Sequence, residues 1–196
     1  MAAEVAPVWL IAVSWAALAT AFVCAGWILY DIYRRGYRQH MRVMEVVWPV
    51  TGLYFGPAAV AAFRSWSRPH TQRWQDQYGD PPDNPGYATI AIGVSHCGAG
   101  CTLGDLVAEF TVFGLGVTVA GTALLAEYLG DYILALTLGI GFQYLAIAPM
   151  RGLSLREGLI EAAKADVLSL TAFEVGLFGW MADVLRVLPR PAPPAS

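Results

Sequence analysis

Charge is scarce in this chain. Only 14% of its 196 residues are charged and 57% are hydrophobic, whereas a soluble domain carries about 25% charged residues. From Trp74 to Met150 there is no Lys or Arg at all. A net charge of −3 without a basic stripe excludes a nucleic-acid-binding role. Cysteine is sparse too: Cys24, Cys97 and Cys101 do not make a disulfide framework. The nucleophile elbow, the Walker A loop, GxGxxG and HExxH are absent, so the common hydrolase, nucleotide and zincin chemistries have no support. A positive n-region is missing ahead of the first apolar run, which therefore reads as a retained span.

What is present is long apolar runs, the mark of a polytopic membrane protein. Residues 5–30 form the first span, with Trp9, Trp27 and Tyr30 near its ends as an interfacial belt. Arg34, Arg35, Arg38 and Arg42 follow, which puts that loop on the cytoplasmic side. Residues 44–63 form a second span, kinked by Pro49, Gly52, Gly56 and Pro57. Residues 64–86 are a polar loop. Residues 88–126 are too long for one span and slightly short for two. Gly93, Gly98, Gly100 and Gly104 weaken the first half as a helix, so the pattern predicts a broken or re-entrant segment around residues 88–104. A span over 132–150, an amphipathic surface helix over 151–164 and a last span over 166–188 complete the pattern. Residues 1–188 thus read as one all-α transmembrane domain of five or six spans, with 189–196 as a disordered proline-rich tail.

The run Ser95-His96-Cys97-Gly98-Ala99-Gly100-Cys101-Thr102-Leu103-Gly104-Asp105 stands out. It puts an imidazole, two thiols and a carboxylate into a membrane segment, where such groups are costly and generally functional. On a helix, Cys97, Cys101, Asp105 and Glu109 are each four residues apart and rotate by about 40° per step, so they share one face. The same arginine-free stretch holds Asp76, Asp80, Asp83, Glu127 and Asp131. Asp166 and Glu174 on the last span lie about 80° apart on its wheel. Carboxylates without a basic partner at depth are protonated, paired at an interface or bound to a cation. Thiolate and imidazole prefer soft or borderline ions such as Cu(I) and Zn(II). The bland alternative is that the thiols only pack and the acids are protonated hydrogen-bonders.

Several runs resemble one prokaryotic membrane family, domain of unknown function 4396. They are Trp48–Pro57, the His96–Asp105 motif, Phe142-Gln143-Tyr144, Ala148–Ser154 and Lys164–Gly176. The resemblance extends over residues 44–181. It implies membrane placement and fold, and carries no activity.

The expectation is therefore a multi-pass protein of the prokaryotic cytoplasmic membrane. It would bind a transition metal, Cu or Zn, for transport or delivery, through His96, Cys97 and Cys101. Asp105, Glu109, Asp166 and Glu174 would extend the set. Two alternatives stay open: a thiol–disulfide oxidoreductase using Cys97 and Cys101, and a structural or assembly subunit. Whether the chain is an enzyme is left undecided. The expected partners are the bilayer, the metal ion and a second copy or another membrane protein.

Overall fold

The computed structural model describes residues 7–187, and the expected tail at 189–196 lies outside them. The elements are helical in chain order: α1 (Val8–Leu29), α2 (Met44–Phe55), α3 (Pro57–Ala62), α4 (Gln72–Tyr78), α5 (Gly86–Leu115), α6 (Ala123–Arg151) and α7 (Leu155–Val187). Wider π turns prolong α1 through Tyr30–Arg34 and α3 through Phe63–Ser67. Among the described residues four helical stretches are long and apolar enough to cross a membrane: Val8–Arg34, Gly86–Leu115, Ala123–Pro149 and Leu155–Asp183. That is one fewer than the lower expected count.

The missing span is α2 with α3. Gly56 takes φ +54, a conformation that glycine adopts without steric cost, and Pro57 starts a new helix there. The chain then turns back. The Trp48 indole N–H donates to Ser67 Oγ at 2.8 Å, although 19 residues separate them. A straight helix would hold those residues about 28 Å apart. The Trp48 and Phe63 rings meet edge-on at 5.6 Å. Residues 44–67 are thus a helical hairpin, not the kinked span expected from its glycines and prolines. Its first arm is 12 residues, about 18 Å deep. The arm packs on α1 where Gly52 lies against Ala25: a Cβ at Gly52 would stand 3.1 Å from the Ala25 backbone.

The hairpin is clamped at its base. Arg38 donates twice to the Glu45 carboxylate, at 2.7 Å each. Asp31, fully buried, pairs with Arg35 at 3.0 Å and with Arg68 at 3.7 Å. The Ser67 hydroxyl donates to Gln39 Oε1. Ile28, Ile32, Val47, Trp48 and Phe63 fill the space between α1 and the hairpin.

A second correction concerns residues 88–104. No break occurs there: α5 is one helix of 30 residues. Its glycines are surfaces for close packing. A Cβ at Gly100 would stand 2.6 Å from Gly139 Cα, and one at Gly104 would meet the backbone of Ala135. Gly130 opposes Ala108 one further turn along. Small residues at this spacing let two helix backbones touch, and the dispersion gained offsets their weak helix propensity. The excess length of the predicted 88–126 segment is explained by a turn, where Gly116 and Gly121 take positive φ and α6 begins at Ala123.

The third correction is at α7, where the expected surface helix and last span are one helix of 33 residues. Gly152 at φ +60 ends α6. Ser154 then opens α7: its hydroxyl hydrogen-bonds Glu157, whose carboxylate also accepts from the Ser154 backbone N–H, a reciprocal capping arrangement. At about 50 Å, α7 exceeds the roughly 30 Å hydrocarbon core, so its charged first turns need not enter lipid. α6 and α7 are antiparallel and tied by the Tyr128 hydroxyl donating to the Phe178 carbonyl at 3.1 Å and by Tyr132 and Thr171 hydroxyls at 3.0 Å. The bundle therefore runs α1, hairpin, α5, α6, α7, each packed on the next.

Candidate functional site

The polar residues lie where the α5–α6–α7 sheet of helices meets the tip of the hairpin. α5 and α7 both run antiparallel to α6, hence parallel to each other. Their polar residues share a register. Cys97 and Asp105 are eight residues apart, as are Asp166 and Glu174. Cys97 faces Asp166, and Asp105 lies within electrostatic reach of Glu174.

Cys97 and Cys101 are unpaired thiols with Sγ atoms 3.8 Å apart. The helix between them is intact, as the i, i+4 spacing requires. Cys101 is buried and Cys97 half-buried. Asp166 is 0% exposed, and neither carboxyl oxygen has a hydrogen-bond partner of ordinary geometry. Its carboxyl occupies the space beside Gly139, where any side chain would collide with it. Gly139 thus serves two contacts at once, the α5 backbone at Gly100 and the α7 carboxyl.

Farther along the helices the acids continue. Glu174 is 0% exposed with both oxygens unpartnered, and Asp131 is buried with Oδ1 unpartnered. Asp131 is close enough to Asp105, Glu109 and Glu127 for mutual repulsion. Glu109 is exposed at the edge. The reason is geometric: three steps of 40° carry the stripe about 120° around α5 between Cys97 and Glu109, away from the α6 interface. The result is a ladder of carboxyls from the thiols toward the Leu115 end of α5.

His96 stands apart. It is buried, its Nδ1 donates to the Ile92 carbonyl at 3.0 Å, and its Nε2 has no partner. It is rotated 100° from Cys97 around the helix, beyond Gly100 from the thiol side. Among the described residues no three His, Cys, Asp or Glu side chains stand together as a ready metal cage. The structure sets Cys97 beside Cys101 on its own helix and opposite Asp166 on α7, with Asp105, Glu109 and Glu174 in sequence beyond them.

Three members of this region were missed by the sequence reading as site residues. Glu127 and Asp131 repeat on α6 the i, i+4 spacing that Asp105 and Glu109 show on α5, which was the available signal. Tyr54 comes from the hairpin tip. Its hydroxyl shares a hydrogen bond with Thr51 Oγ1 at 3.2 Å, sits where a Cβ at Gly98 would meet it at 2.7 Å, and lies within electrostatic reach of both thiols. The packing of α2 between α1 and α5 brings it there.

The fold and this site define a helical, membrane-type protein with a polar site enclosed between its apolar helices. The chain belongs to the family described as a domain of unknown function, DUF4396, whose model matches residues 87–195. The match covers α5 to α7 and so the thiols and the carboxyl ladder. It does not include the Trp48–Pro57 run. No curated protein matches, and no solved structure matches.

Proposed function

We propose that this protein binds a soft transition metal ion, Cu or Zn, within the membrane and passes it across or to a partner. The observation that carries the reading is the Cys97–Cys101 pair facing the buried, unpartnered Asp166. Two sulfurs bound to one zinc at about 2.3 Å in tetrahedral geometry stand about 3.8 Å apart, and the thiols are already at 3.8 Å. They need no helix rearrangement to share an ion. Asp166 supplies an anionic oxygen beside them. With no closed cage of donors among the described residues, the remaining positions are left to water, to a partner or to the His96 imidazole after a rotation of α5. An open shell suits transfer better than storage. The carboxyl ladder gives a cation a route to the thiols from the Leu115 end.

Two architectural features support transport. Broken helices at mid-depth are characteristic of transporter binding sites, and the hairpin tip places Tyr54 beside the thiols. The arginine-rich end of α1 is taken as cytoplasmic by the positive-inside rule, in a prokaryotic cytoplasmic membrane.

The unbroken helix weighs against thiol–disulfide exchange. A disulfide needs Cβ atoms about 3.5–4.5 Å apart, and an i, i+4 helical pair holds them at about 5–6 Å.

The test is metal content of the full chain purified under reducing, metal-replete conditions. Wild type should retain copper or zinc in stoichiometric amount, and Cys97→Ala/Cys101→Ala should retain none. Metal-free wild type ends the proposal. A reversible Cys97–Cys101 disulfide seen by alkylation and mass spectrometry would replace it with the redox reading. Loss of stability alone, with no metal in either protein, would assign the cluster to assembly.

A further inference from the structure

The basic residues of this protein are gathered at one end. Seven of its 12 Lys and Arg fall between Arg34 and Arg73. Glu45 within this stretch and Asp31 just before it are already committed, Asp31 to Arg35 and Arg68 and Glu45 to Arg38. Arg34, Arg42, Arg64 and Arg73 are exposed and make no ion pair among the described residues. The following acids, Asp76, Asp80 and Asp83, lie on α4 and the loop after it and pair with none of them.

Two of these arginines occupy a defined place. Val23, Trp27, Tyr30 and Arg34 follow one another at i, i+4, i+7 and i+11, one face of α1. All four are exposed, Trp27 and Tyr30 at 46% and 54%. That face passes from aliphatic to aromatic to cationic within about 17 Å, the order of hydrocarbon, interface and headgroup layer. The hairpin delivers a second cation to it: the Arg64 guanidinium lies 5.4 Å from the Trp27 ring centroid. Among the described residues neither cation has an anionic partner, and both stand at the aromatic-to-cationic end of this face, the order in which an interface gives way to headgroups.

We infer that Arg34 and Arg64, flanking Trp27 and Tyr30, form a binding site for the headgroup phosphate of an anionic phospholipid. Guanidinium forks match phosphate oxygens, and the exposed apolar face above takes the acyl chains. The site is independent of the thiols and of any metal.

The experiment is a lipid titration of the full chain, purified in neutral detergent and followed by native mass spectrometry. Phosphatidylglycerol should bind more tightly than phosphatidylcholine of the same chains. Removing each arginine near an anionic surface costs about fivefold, so Arg34→Gln/Arg64→Gln should lose roughly 25-fold in phosphatidylglycerol affinity. Arg156→Gln, an exposed arginine on α7, should lose none. Equal binding of the two lipids by wild type overturns the inference without any variant being made. So does an unchanged double variant. Competition by inorganic phosphate alone would reassign the site to a free anion and overturn the lipid assignment.

Discussion

Asp166 is the residue on which the site turns. A carboxylate with no exposure and no hydrogen-bond partner costs several kcal/mol unless it is protonated or finds a cation. Evolutionary economy aside, its presence lowers stability, and an amide of the same shape removes the charge. Asp166→Asn is therefore expected to leave the thermal midpoint unchanged or raised while metal retention falls at least tenfold. A thermal scan paired with elemental analysis checks both. A lowered midpoint with metal retained would make Asp166 a structural residue. At this scale much was legible in the sequence. The 97/101/105/109 spacing and the 166/174 pair needed only helical periodicity, and both fall on helices as expected. His96, next to Cys97 in sequence, lies 100° away around the helix and points to the other side of Gly100. Tyr54 was out of reach, since its place depends on the tertiary packing of α2 against α5.

Glycine has opposite meanings in the elements of this chain, and propensity alone does not separate them. At Gly56 it permits a positive φ and reverses the chain; at Gly100 and Gly104 it keeps a helix straight against its neighbour. The sequence reading placed the re-entrant segment at 88–104, where glycines are denser, and a span at 44–63. In the structure α5 is one unbroken helix over Gly86–Leu115, and the chain reverses within residues 44–67 instead. Close packing with α6 overrides the poor propensity of α5, whereas the positive φ that Gly56 adopts without steric cost lets the chain reverse there. Substitutions distinguish the roles. Gly100→Ala forces a methyl into the Gly139 backbone, and overpacking of this kind costs about 1–3 kcal/mol. Its thermal midpoint should drop. Gly98→Ala meets only the end of the Tyr54 side chain, which can swing aside, so that variant should keep its midpoint. An unchanged or raised midpoint for Gly100→Ala would show that the gain in helix propensity, not the α5–α6 contact, sets the effect.

For the whole molecule, the hairpin changes the sidedness of the loops. If residues 44–63 crossed the bilayer, His40 and Asp80 would lie on opposite faces. A hairpin returns the chain to the face it left. Single cysteines at His40 and Asp80, in a background with the three native cysteines replaced by serine, should react with a membrane-impermeant maleimide from the same side. A cysteine at Val119, in the turn between α5 and α6, should react from the other. Labelling of His40→Cys and Asp80→Cys from opposite sides would restore the span. The all-helical, apolar character of the chain was readable from composition; the number of candidate spans, four against an expected five or six, was not. Nor was the reversal, because it rests on a contact between Trp48 and Ser67 and on an ion pair that joins Asp31 to Arg68 across most of the arginine-rich segment.

The depth of the thiols has an electrical meaning. Eleven residues of α5 separate Gly86 from Cys97, about 16 Å of helix, and the hydrocarbon core is about 30 Å thick. With α5 crossing from its Gly86 end, a cation reaching Cys97 from either face travels through about half of the transmembrane field. For a single charge and 100 mV, half the field amounts to about 1.2 kcal/mol, roughly a sevenfold change in occupancy. Imposing that potential on vesicles containing the protein should shift the half-saturating concentration of a monovalent ion such as Cu(I) by that factor, with the sign set by the face from which the ion enters. A voltage-independent site would place the thiols at a membrane surface.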